Sequence, residues 1–114
     1  MDLSKEEIIA INKTLGGNLV ANGSIEFALH AGKGRSLYWR IALLWRAILV
    51  DHPFTDINKR TTFNATILTL NRSGIKTTDE MKERIVKEIL KISKEGTISV
   101  KNIERRVRYA VEGN

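Results

Sequence analysis

Cysteine is missing altogether from the 114 residues, and histidine nearly so, with only His30 and His52. The first absence excludes a disulfide scaffold, a cysteine-based zinc finger and a cysteine nucleophile. The second leaves too few imidazoles, too far apart in sequence, for a multi-histidine zinc site. No apolar run approaches the ~18 residues of a membrane span, and the start of the chain lacks the basic-then-apolar layout of a signal peptide. The expectation is a cytoplasmic protein with no membrane partner. What is present is an ordinary globular balance of 42% hydrophobic and 28% charged residues, which suits one domain over residues 1–114. Internal repeats, low-complexity segments and interdomain linkers are all lacking. A formal charge of +6 favours an acidic or phosphate-bearing partner, without separating nucleic acid from nucleotide or acidic protein.

Apolar spacing and capping signals give six helices. Ser4 with Glu7 makes a capping box for a helix over residues 4–15, with Ile8, Ile9, Ile11 and Leu15 inward and Gly16-Gly17 as the stop. Residues 16–34 hold five of the eight glycines and read as loop or hairpin around a short helix near residues 24–31. A strong helix over residues 36–51 turns Leu37, Ile41, Leu44, Trp45, Ile48 and Leu49 inward, and the only proline, Pro53, ends it. The next helix begins near Asn58 and carries Phe63, Ile67, Leu68 and Leu70 to Ser73-Gly74. Thr78 starts a fifth, with Met81, Ile85, Ile89 and Leu90 inward and Gly96 as its close. Ser99 caps the last, with Val100, Ile103, Val107 and Val111 on one face and Lys101, Arg105, Arg106 and Arg108 largely on the others. The fold class is all-α.

Residues 52–60, His52-Pro53-Phe54-Thr55-Asp56-Ile57-Asn58-Lys59-Arg60, concentrate the chemistry. A possible base, a carboxylate, an amide and two cations fall together where a helix starts. A helix N-terminus offers unpaired N–H groups and positive potential, so the loop is suited to phosphate oxygens. Phe54 is placed to anchor the loop while His52 and Asp56 point outward. Histidine is suited to take a proton near neutral pH, and a carboxylate beside phosphates is a usual Mg²⁺ ligand.

The segment resembles the signature of the Fic/Doc family: His, any residue, Phe, any residue, Asp or Glu, Gly or Ala, Asn, Gly or Lys, Arg. His52, Phe54, Asp56, Asn58, Lys59 and Arg60 satisfy it, and Thr61-Thr62-Phe63-Asn64-Ala65 continues in a form similar to the Doc branch. The likeness runs on through Asn71-Arg72-Ser73-Gly74 to Gly96-Thr97-Ile98-Ser99-Val100, and weakly back to Ser4-Lys5-Glu6-Glu7. It implies a Fic-like helical bundle carrying a nucleotide-dependent transferase that uses ATP and Mg²⁺. For a Doc-like toxin of a toxin-antitoxin pair, it implies transfer of the terminal phosphate of ATP to a hydroxyl of a target protein of the translation-factor class. A separate antitoxin protein would then restrain it. In the carried-over roles His52 deprotonates the hydroxyl, Asp56 helps hold Mg²⁺, Asn58 binds phosphate oxygens, and Lys59 and Arg60 balance phosphate charge. Many AMP-transferring members carry a second Arg where this chain has Phe63, and a Gly where it has Lys59. Both differences favour the Doc branch. Ile57 departs from the pattern, which gives its place to Gly or Ala.

Other readings stay open at this point. The same site transferring AMP is the nearest chemical rival. A basic helical nucleic-acid-binding protein would use Arg60, Arg105, Arg106 and Arg108 on phosphates, but gives no reason for His, Phe, Asp and Asn to share this spacing. A catalytically idle Fic-like fold is the third, motivated by Ile57. Asp56 or Asn58 can also serve as a plain helix cap. Trp39, Trp45, Phe27 and Tyr38 read as core, and His30 beside Gly32-Lys33-Gly34 as surface loop.

Overall fold

Four helices begin on a side-chain cap that the sequence prescribes. The hydroxyls of Ser4, Ser36, Thr78 and Ser99 accept from the backbone N–H groups of Glu7, Trp39, Met81 and Asn102, each satisfying a first-turn donor that the helix cannot. The computed structural model describes residues 3–96 and 98–113. Its helices are α1 (Lys5–Thr14), α2 (Gly23–Ala31), α3 (Leu37–Leu49), α4 (Asn58–Arg72), α5 (Asp79–Glu95) and α6 (Val100–Glu112). The all-α expectation holds, with helix boundaries within two residues of those read from the sequence. Thr97, part of the late motif, lies outside the described residues. No helix among the described residues is long and apolar enough to cross a membrane.

α3 is the hub, packing against α2, α4, α5 and α6. Residues 41–45 and 47–49 are all buried, the pattern of a helix with protein on every side. Ile41, Ala42, Trp45 and Leu49 join Ile85, Ile89 and Ile92 of α5 and Ile103 and Val107 of α6. Leu44 and Ile48 face the other way, onto Ile8 of α1, Ile25 of α2, Ala65 of α4 and Phe54 of the loop that follows α3. Each fully buried side chain of this size contributes about 1.5–3 kcal/mol.

Three sequence expectations need correction. α4 does not bury the face drawn from Phe63, Ile67 and Leu68, which are only partly covered. Its buried residues are Thr61, Thr62, Ala65, Thr66, Thr69 and Leu70. Threonine can line a core here because each hydroxyl donates to the carbonyl one turn back, at 2.7 Å (Thr61 to Ile57 and Thr66 to Thr62) or 2.8 Å (Thr62 to Asn58 and Thr69 to Ala65). The hydroxyl protons are thus spent within the helix, leaving the methyl groups to pack and the oxygens of Thr61 and Thr66 to accept from Asn12 and Trp45. Phe27 is 65% exposed, because α2 turns Ile25 and Ala28 inward, and Leu90 is 46% exposed beside Val86 on the flank of α5.

Two contacts tie the layers and can be tested. The Trp45 indole N–H, fully buried, donates to Thr66 Oγ1 at 2.8 Å. Thr66→Val keeps the shape but orphans this donor, so unfolding free energy from urea titration should fall by about 1–3 kcal/mol; an unchanged value would mean that the indole finds another acceptor. At the far end of α4, Arg72 grips Glu7 with both guanidinium nitrogens, Nη1 to Oε1 at 2.9 Å. This guanidinium, together with the Ser4 backbone N–H, holds the Glu7 carboxyl down at about 2. A carboxyl lowered by folding stabilises the native state above its unfolded value and loses that effect as pH falls through the folded one. Stability should therefore decline from about pH 4.5 to 2 more steeply in the wild type than in Glu7→Gln. Parallel acid limbs for the two proteins would contradict this.

Candidate functional site

Leaving a helix buried on all sides demands an abrupt turn, and residues 52–57 make two. His52 (φ 50°) and Ile57 (φ 61°) are the non-glycine residues with left-handed backbone among those described. Histidine tolerates this region better than most residues; for β-branched isoleucine it is strained. Between them Phe54 drops back into the core at 2% exposure, as its spacing predicts.

The loop is also stitched from outside by the residues after α1. Pro53 O accepts from the N–H of Val20 (2.7 Å) and of Ala21 (3.2 Å), and the Thr55 N–H donates to Asn18 O at 2.9 Å. Leu19 and Phe54 thus form an isolated antiparallel bridge. Residues 16–34 form no hairpin with one another; the one rung that they contribute is to Phe54, and the loop reading holds around α2.

The consequence is that all five residues singled out by sequence border one cavity of about 490 Å³. His52 and Asp56 lie exposed at its mouth, with Asn58, Lys59 and Arg60 on the first turn of α4. Leu49, Ile57 and Ser93 complete the lining, and Ser93, from α5, has no sequence signal of its own. Neither Asp56 nor Asn58 caps α4. The cap position is Ile57, whose side chain offers no acceptor to the first-turn N–H groups. Asn58 instead turns its amide backwards, Nδ2 donating to Phe54 O at 3.2 Å, and its buried Oδ1 has no partner among the described residues.

Charge separates this turn from the arginines of α6. Lys59 and Arg60 make no ion pair among the described residues, although cations at a helix start oppose its dipole. By contrast, Arg106 pairs with Glu95 at 2.9 Å, Arg108 pairs with Glu104 and lies over the Tyr38 ring at 4.9 Å, and Arg105 bonds Asn102 Oδ1 at 3.1 Å. The basic side of α6 is largely occupied within the molecule. A second cavity of about 340 Å³ adjoins the first, shares Lys59 and Arg60 with it, and is walled by Phe63, Val86, Ile89 and Leu90.

The arrangement also rests on a residue that the sequence reading passed over. Asn12 of α1 is 1% exposed, and its Nδ2 donates to Asp56 O at 3.2 Å and to Thr61 Oγ1 at 3.0 Å. The available signal was a polar residue in phase with Ile8 on an otherwise apolar stripe. No protein-family model matches the chain, and no curated protein sequence matches it significantly.

The strain at Ile57 has a measurable consequence. Ile57→Gly loses the contacts of a half-buried side chain but relieves about 1–2 kcal/mol of left-handed strain, so stability should stay within about 1 kcal/mol of wild type. Ile67→Gly, also half-buried but inside α4, adds the glycine penalty to the lost contacts and should cost about 2 kcal/mol or more. Equal losses at both positions in urea titration would overturn the strain assignment.

Proposed function

We propose that the protein is a Doc-like phosphotransferase of the Fic/Doc family, moving the terminal phosphate of ATP to a hydroxyl of a target protein. The observation that carries this reading is the convergence of His52, Asp56, Asn58, Lys59 and Arg60 on one cavity at the uncapped start of α4. Cations beside free first-turn N–H groups oppose the helix dipole by about 0.3–1 kcal/mol each, a cost that an anion bound between them offsets. Phosphoryl transfer is mostly positioning and charge stabilisation, which is what these groups supply.

Asp56 is the one carboxylate in the lining of the cavity. That fits Mg²⁺, which takes one or two carboxylates and fills its octahedron with phosphate oxygens and water. When bound, Mg²⁺ would neutralise charge on the phosphates. The chain's own residues do the rest. The exposed His52 imidazole takes the proton of the target hydroxyl while that oxygen bonds to the γ-phosphorus. The bond from this phosphorus to the bridging β–γ oxygen breaks, and ADP leaves with the electron pair. Lys59, Arg60 and the first amides of α4 hold the phosphate oxygens. The neighbouring apolar cavity, sharing Lys59 and Arg60, is where the nucleoside end would rest.

The alternative of AMP transfer by the same site needs a cation at the inner phosphates. Phe63 stands where AMP-transferring relatives place Arg, which favours terminal transfer. Occupied arginines along α6 weigh against the nucleic-acid reading. A toxin role, a translation-factor target and a separate antitoxin follow from the family resemblance.

The test is label transfer in a cell extract. With Mg²⁺, γ-labelled ATP should mark a protein and α-labelled ATP should not, and His52→Ala should lower the rate about 10²- to 10⁴-fold with helix content unchanged. Transfer of the α label would assign AMP transfer instead. Full activity in His52→Ala would remove the histidine from the mechanism.

A further inference from the structure

We propose that Asn12 is a positioning residue for the phosphate site, its side-chain amide holding the left-handed turn at Ile57 that aims Asp56 and the start of α4 at the cavity. The backbone of Ile57 is set by the relative rotation of the two peptide planes that flank it. The preceding plane carries the Asp56 carbonyl, to which Asn12 Nδ2 donates at 3.2 Å. The following plane carries the Ile57 carbonyl, which accepts from the Thr61 hydroxyl at 2.7 Å. That hydroxyl in turn accepts from the same Asn12 nitrogen at 3.0 Å. One amide group therefore bears on both planes, holding the first directly and reaching the second through Thr61, whose backbone N–H also donates to the Ile57 carbonyl at 3.0 Å.

The chemistry explains why asparagine stands there. The Asp56 carbonyl can only accept, and the one proton of Thr61 is committed to Ile57, so both partners need a donor from the same group. A primary amide has two. Asn12 also carries a cost that packing alone would not justify, because its Oδ1 is buried with no partner among the described residues. Space for it is kept by Gly17, where an added Cβ would lie 2.3–2.7 Å from the Asn12 amide atoms. The Gly17 N–H closes the arrangement by donating to the Asn12 backbone carbonyl at 3.0 Å. Asn12 is the side chain that holds the Asp56 carbonyl, and so the peptide plane whose rotation keeps the β-branched Ile57 at φ 61°.

The functional part rests on the phosphotransferase reading; the geometric part does not, and the experiment separates them. Asn12→Leu removes both donors and the orphaned oxygen while burying no charge. It is compared with wild type in an Ile57 and in an Ile57→Gly background, since glycine adopts the left-handed turn unaided. Three quantities are read: the thermal midpoint, the intra-residue amide-to-Hα Overhauser effect that marks a left-handed residue 57, and the affinity for the non-hydrolysable analogue AMP-PNP with Mg²⁺. Asn12→Leu should stay folded, lose the left-handed signature and bind AMP-PNP about 10- to 100-fold more weakly. In the Ile57→Gly background the same change should cost less than about threefold.

A purely structural asparagine would give equal losses in both backgrounds, and that result overturns the proposal. So does an intact left-handed signature in Asn12→Leu. If wild type itself does not bind AMP-PNP, the phosphotransferase reading fails and the clamp is judged on the signature alone. Should Asn12→Leu not fold, Thr61→Val, which removes the hydroxyl joining Asn12 to the Ile57 carbonyl but leaves the Thr61 backbone N–H in place, must produce a smaller loss with the same rescue by Ile57→Gly, and no loss at all overturns the proposal.

Discussion

A helix surrounded by protein has to end by turning out of the core within a few residues, and α3 is such a helix. Its buried residues continue to Leu49, and Pro53 removes a backbone donor just beyond it. The chain turns at His52, returns to the core at Phe54 and turns again at Ile57 before α4 can begin. The exposed His52 is itself the first left-handed residue, and the exposed Asp56 lies between the Phe54 anchor and the second, Ile57. The site is thus a by-product of how a buried helix exits. Its geometry is fixed by Phe54 packing, by the rung to residues 18–21 and by Asn12.

Strain and unpaired charge gather at the same place. The starts of α1, α3, α5 and α6 are capped by side chains, and Arg72, Arg106 and Arg108 have carboxylate partners. At the start of α4 the cap is an isoleucine in the left-handed region, and two adjacent cations lack counter-charges among the described residues. Local rules broken together at one site point to a ligand that completes it. The phosphate proposed for this site would answer each deficiency at once, accepting from free N–H groups and balancing Lys59 and Arg60.

Most of the fold was legible because its signals are local. Ser4, Ser36, Thr78 and Ser99 announce helix starts through their own hydroxyls, and Pro53 and the glycines announce stops. The grouping of His52, Asp56, Asn58, Lys59 and Arg60 was legible for the same reason, since nine consecutive residues at a helix start cannot stray far from one another. What escaped depends on partners distant in sequence. The threonine face of α4 reads as polar until each hydroxyl is seen to be spent on the preceding turn. Leu90 and Phe27 fit an apolar stripe but fall on flanks that no other helix covers. Asn12 and Ser93 reach the site from α1 and α5, across separations that no local pattern encodes.

The central claim is that the 52–60 loop and the first turn of α4 form a phosphate-binding surface. A titration of ¹⁵N-labelled protein with inorganic tripolyphosphate and Mg²⁺, followed amide by amide, tests it without needing the protein target. The account predicts saturable shifts centred on the amides of Asn58, Lys59 and Arg60, with smaller ones at Asp56 and Ser93. Shifts centred on Lys101, Arg105 and Arg108 of α6, or none at the start of α4, would contradict it.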